Sequence, residues 1–170
     1  MRRAAAFPLL ALVNLAALLG GLHRGGVTIN LSGSQPLGLY RAVPGPWRRS
    51  DLVAACLPAW YVPTALARGY VAAGGACGTH TPLIKRVAAG AGDRVEVGGR
   101  VRVNGRTLPG TELLARDGAG RALAPARGGT LGADEVWLLS SAVPGSIDSR
   151  YFGAVPAGNV RHRLEALWTP

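Results

Sequence analysis

Ala4 to Leu22 is apolar apart from Pro8 and Asn14, and Arg2 and Arg3 stand ahead of it. A membrane-spanning helix needs roughly 17–25 such residues. A cleavable leader has a shorter apolar core followed by a small-x-small site. Here the run ends in Gly20-Gly21-Leu22-His23-Arg24, without a clear Ala-x-Ala. The expectation is an uncleaved helical anchor over residues 1–24. Arg2, Arg3 and the N-terminal amine favour the cytoplasmic side for the N-terminus, while Arg24 close behind the span opposes that orientation. Residues 25–170 then form one domain outside the cytoplasm, long enough to bury a core.

Beyond residue 24 the pattern changes to short β-segments bounded by turn residues, and no long helical period appears. Strands are expected over Val27–Leu31, Leu52–Ala55, Pro82–Ala88, Arg94–Val97, Val101–Val103, Val136–Leu139 and Leu164–Trp168. Val95, Val97, Val101 and Val103 alternate with Arg94, Glu96, Arg100 and Arg102, which gives one core face and one wet face. Gly98-Gly99 and Asn104-Gly105 supply the turns. Ser32 to Gly38 reads as a loop, and Arg116 to Gly132, rich in Gly, Ala and Arg, as an exposed one. Leu52 to Ala67 contains Trp60 and Tyr61; it fits a core strand and turn as well as a segment touching a membrane. The fold class is mainly β.

The formal charge of +10 invites a nucleic-acid reading. The basic residues are spread along the chain, however, with no run of five like charges and no interleaved aromatics. That argues against nucleic acid and for a basic face beside anionic lipid or an acidic partner. Of 19 Lys and Arg, the only lysine is Lys85. Arginine stays protonated in a protein, whereas a buried lysine can lose its proton. Cys56 and Cys77 show no metal-ligand spacing, and no cofactor is implied. In an oxidising compartment they would form one disulfide; in the cytosol, two core thiols.

Three segments bear chemistry. The first is Asn30-Leu-Ser32-Gly-Ser34-Gln-Pro36-Leu-Gly38-Leu-Tyr40. The second is Leu83-Ile-Lys85-Arg86-Val, followed by Gly92-Asp93. The third is Ser146-Ile-Asp148-Ser149-Arg150-Tyr-Phe-Gly153. Singly these read as a turn serine, a strand with an exposed base, and a polar loop. In this order they resemble the signal peptidase I superfamily, and within it the TraF-type peptidases of conjugative transfer systems. The resemblance runs from about Ile29 to Trp168. It departs from the family at Ala91, where a proline often precedes the Gly-Asp turn. The serine is followed by Gln35-Pro36 rather than Met-x-Pro, which favours the transfer-type branch over a housekeeping enzyme.

The resemblance implies a partly open β-barrel domain behind one transmembrane helix, held in the bacterial inner membrane with catalysis on the periplasmic side. It implies a serine endopeptidase with Ser34 as nucleophile and Lys85 as general base. Its substrate would be a secreted precursor such as a pilin subunit, which it cleaves or cyclises. Ser32 and the Ser34 N–H would form the oxyanion hole. Ser146 would orient the lysine amine. Asp148 would pair with Arg150 or hold the lysine region in place. Gly33 and Gly38 would allow close backbone approach. Chemistry agrees: serine needs an adjacent base, and His23, His80 and His162 offer no convincing triad. A lysine serves as base if burial keeps it neutral. Arg86, next along the strand, would face the opposite way. A general signal peptidase, a self-cleaving repressor and a catalytically inactive periplasmic β-module are the alternatives.

Overall fold

The computed structural model describes residues 26–140 and 143–170, so the expected anchor over 1–24 lies outside the described residues. Among the described residues no helix is long and apolar enough to cross a membrane. The chain is mainly β. Its first two strands, β1 (Val27–Asn30) and β2 (Gly38–Val43), pair antiparallel with Asn30 opposite Gly38, so residues 31–37 form the loop that carries Ser34. β2 was not expected as a strand, because its glycine start and short apolar content hide it in sequence. Gly38 is required there: its φ is +145°, and a Cβ would lie 2.1 Å from the carbonyl oxygen of Trp168.

β3 (Leu52–Ala55) is buried throughout and pairs antiparallel with β4 (Leu83–Ala89), placing Val53 opposite Lys85. After β5 (Arg94–Val97), β6 (Val101–Val103), β7 (Arg106–Thr107) and β8 (Gly129–Thr130), β9 (Glu135–Leu139) pairs with the other edge of β4. β10 (Val155–Pro156) extends that edge. β11 (Val160–Trp168) lies between β2 and β3, antiparallel to both. It begins four residues earlier than expected, because Arg161, His162 and Arg163 interrupt the alternation and a bulge follows Val160. The order β1-β2-β11-β3-β4-β9-β10 forms a curled half-barrel.

β7, β6, β5 and β8 form a second sheet. Asn104 (φ +49°) and Gly105 (φ +78°) make the two-residue turn between β6 and β7, with the left-handed backbone that an Asn-Gly pair favours. Val95, Val101 and Val103 are buried as the alternation requires, and Val97 is half-buried at the strand end. They pack with Ala89, Leu131, Trp137 and Leu139 into one core, while Val53, Ala55, Val87, Val136 and Leu138 centre a second.

Between β3 and β4, a 3₁₀ turn at Ala59–Tyr61 leads into α1 (Val62–Ala67), which starts with Pro63 in its first turn. Tyr61 packs on Phe152 in the core, while Trp60 is 64% exposed. The segment from Leu52 to Ala67 therefore supplies both a core strand and an exposed aromatic. Cys56 and Cys77 are disulfide-bonded, which ties the excursion after α1 to the end of β3. His80, expected at a strand end, is buried beside this bond. Its Nε2 accepts the Leu57 N–H at 3.1 Å, which needs the neutral ring, and burial lowers its pKa. The stretch from Arg116 to Gly132 is less open than expected. Leu123 and Leu131 are buried, and the Asp117 carboxylate accepts from Tyr70 Oη (2.5 Å) and Arg121 Nε (2.7 Å).

Candidate active site

The Ser34 loop is built around a buried asparagine. Asn30 Nδ2 points at the carbonyls of Ser32 (3.1 Å), Gln35 (3.1 Å) and Pro36 (3.0 Å). Its Oδ1 accepts from the Ser32 N–H (3.1 Å) and the Ser32 hydroxyl (2.8 Å). Tyr40 Oη, on β2, also donates to the Pro36 carbonyl (2.6 Å). Ser34 is half-buried, with its Oγ 3.3 Å from Ser32 Oγ. The Ser32 proton is committed to Asn30, so the Ser34 hydroxyl is the donor of that pair. Among the described residues the Ser34 N–H has no hydrogen-bond partner, as an oxyanion donor requires. Of the two glycines expected to allow close backbone approach, Gly38 does so against Trp168. A Cβ on Gly33 would meet nothing within 4 Å.

Lys85 lies on the inward face of β4 and is 1% exposed; Arg86 points the other way and donates to the Ser50 carbonyl (2.9 Å). Lys85 Nζ donates to Ser146 Oγ at 2.6 Å, so the serine of the third segment does contact the amine. Burial pushes the lysine down from 10.5 to about 8; Asp148 opposes this and Arg150 adds to it. Among the described residues no hydrogen bond joins Ser34 Oγ to Lys85 Nζ: one faces Ser32, the other Ser146.

Asp148 and Arg150 form a fully buried ion pair. Arg150 Nε and NH2 each donate to one oxygen of Asp148 at 2.8 Å. Asp148 also caps α2 (Ser149–Phe152) by accepting the Arg150 N–H. The remaining Arg150 protons reach the carbonyls of Glu112, Pro144 and Ser146, so the guanidinium anchors the segment that presents Ser146 to Lys85. Because Arg150 neutralises Asp148, the carboxylate raises the lysine's proton affinity less than burial lowers it.

Two contributors have no counterpart in the sequence reading. Asn30 lay within the first segment but had no role there; a buried Asn before Ser-x-Ser is a local signal for loop capping. Ser140 stands at the end of β9. Its N–H donates to Asp148 Oδ2 (3.0 Å), its Oγ donates to the Ser34 carbonyl, and Gln35 Nε2 reaches that Oγ at 3.4 Å. No local pattern marks a residue so distant in sequence.

The three segments come together beside one seven-stranded β-sheet. A family model described as "Signal peptidase, peptidase S26" matches residues 9–169, and the chain belongs to that family. Within it the relatives are of the TraF type. The chain is 41% identical over 171 residues to the Agrobacterium tumefaciens (strain 15955) "Conjugal transfer protein TraF", covering 99% of this chain and 97% of that one. It is 47% identical over 139 residues to a "Probable conjugal transfer protein TraF" of Sinorhizobium fredii, covering 80% and 73%. An Escherichia coli "Plasmid transfer protein TraF" matches at 35% over 173 residues, covering 99% and 97%. A signal peptidase I crystal structure from Enterococcus faecalis is similar at 20% identity and a TM-score of 0.43, over 71% of this chain and 98% of that one.

Proposed function

We propose that this peptidase is a membrane-anchored serine endopeptidase with a Ser34–Lys85 dyad, acting on a secreted precursor such as a conjugative pilin subunit. The observation that carries the reading is Lys85: the chain's one lysine is buried, and its amine is held at about 8. Burial supplies neutral amine at working pH, which a general base needs.

In this reading the Ser34 hydroxyl turns from Ser32 toward Lys85, gives its proton to the neutral amine, and adds to the scissile carbonyl. The oxyanion forms at the Ser34 N–H, joined by Ser32 once its hydroxyl leaves Asn30. The Lys85 ammonium then protonates the departing amine, leaving an acyl-enzyme on Ser34. Water completes hydrolysis; an amine of the same acyl chain instead gives a cyclic product. Ser146 and the Asp148–Arg150 pair keep the lysine in place. The transfer names of the relatives support a substrate that serves conjugative transfer. The apolar run at 4–22 supports an inner-membrane anchor with the domain in the periplasm, and the Cys56–Cys77 disulfide suits an oxidising compartment.

The test is acylation by a fluorescent penem, with the adduct located by mass spectrometry. The parent labels at Ser34, whereas Ser34→Ala, Lys85→Ala and Lys85→Arg do not, although arginine keeps the charge. Labelling of Lys85→Arg at the parental rate would remove the base assignment.

A further inference from the structure

Asn30 is buried, and its amide is saturated. Both Oδ1 lone pairs are used by Ser32, and the two Nδ2 protons are shared among three carbonyls. All five contacts fall on the loop between β1 and β2. Ser140 holds the Ser34 carbonyl. The carbonyls of Ser32, Ser34, Gln35 and Pro36 are thus all tied within the protein. A carbonyl facing the substrate would repel a developing oxyanion, whereas N–H and O–H donors stabilise it. Tying these carbonyls within the protein keeps them from an oxyanion, while among the described residues the Ser34 N–H has no partner. The same asparagine holds the Ser32 hydroxyl beside Ser34 Oγ, where it can turn to an oxyanion once it forms.

We propose that Asn30 is a positioning residue for the reaction at Ser34, acting through the loop carbonyls and the Ser32 hydroxyl rather than by touching substrate. This rests on the Ser34–Lys85 reading. An ordinary structural asparagine would lower stability when replaced. A positioning asparagine lowers the rate of bond formation at Ser34 in protein that remains folded, and it does so together with Ser32.

The experiment uses the full chain in detergent micelles and a fluorescent penem, with labelling resolved into kinact and KI. Asn30→Ala lowers kinact by at least about tenfold, the scale of a disturbed oxyanion site, with KI within about threefold. Asn30→Asp, which is isosteric and keeps the acceptor oxygen but lacks the Nδ2 donors, shows the same loss. It serves as the readout if the alanine variant fails to fold. Adding Ser32→Ala to either variant slows labelling by no more than about a further threefold, because the two residues act as one unit. Parental kinact in both Asn30 variants, or fully multiplicative losses with Ser32→Ala, overturns the proposal while leaving the dyad standing. Equal labelling of Ser34→Ala and parent overturns the dyad, and this proposal with it.

Discussion

The buried Lys85 should be a stability liability, and Lys85→Met measures it. Methionine fills much of the space of the lysine stem without a charge. The folded protein holds Lys85 at about 8 against 10.5 for the free side chain. At about 1.4 kcal/mol per tenfold change in proton affinity, that difference corresponds to about 3 kcal/mol against the folded state when the amine must be charged. Its sign with pH follows from proton counts. Between about 8 and 10.5 the unfolded chain holds the proton and the folded chain does not, so parental stability climbs through that window. Below about 8 the penalty is present in full; above 10.5 it is gone. The substitution also removes the Lys85–Ser146 hydrogen bond, about 1 kcal/mol. Lys85→Met is therefore expected to be inactive yet more stable than the parent by about 2 kcal/mol at pH 7, or about 5 °C in melting temperature for a domain of this size. The gain should shrink and reverse towards pH 10.5. Reversible melts followed by tryptophan fluorescence, parent and variant side by side from pH 7 to 10.5, provide the check. A variant less stable than the parent at pH 7, or a gap that does not change with pH, would refute the reasoning.

Penem acylation of the parent should rise about tenfold from pH 7 to pH 9, as the neutral fraction of an amine near 8 grows from about a tenth to about nine tenths; a flat rate across that range argues against Lys85 as base. Asp148→Asn strips the buried Arg150 guanidinium of its counter-charge and should cost about 3 kcal/mol in denaturant melts. Because Asp148 raises the proton affinity of Lys85, any folded fraction should acylate with its profile moved to lower pH; a move to higher pH contradicts the electrostatics. Gly38→Ala forces a Cβ against the Trp168 carbonyl in a backbone region closed to alanine, and should lower stability by at least about 2 kcal/mol. Hydrogen exchange should show faster loss of the β2–β11 amides, and unchanged exchange there would show that the strand ends relax at no cost.

The parts of the fold written locally were legible in the sequence. The β5–β6 hairpin announced itself through valines alternating with charged residues, and the turn after β6 through Asn104-Gly105. Leu52–Ala55 was visible as a short apolar run. What escaped depends on partners remote in sequence. β2 is a strand because Gly38 lets it lie against the backbone of Trp168. The early half of β11 pairs with β3 in spite of three polar residues in a row. In the site, the ordered resemblance of three segments singled out Ser34, Lys85, Ser146, Asp148 and Arg150, and the structure brings Lys85 to Ser146 and Asp148 to Arg150. Ser140 could not be read, since its role exists only once β9 ends beside the serine loop.

The strand order sets a rule for assembly. Among the described residues, the Ser34 hairpin, β1–β2, has its main-chain ladder to the rest of the sheet only through β11, which reaches β3 and hence the lysine strand on its far side. The Ser34 hairpin and the Lys85 strand are therefore linked through the main chain by residues 160–168. The register between the two is thus set by one strand, and a slip of β11 would shift Ser34 relative to Lys85.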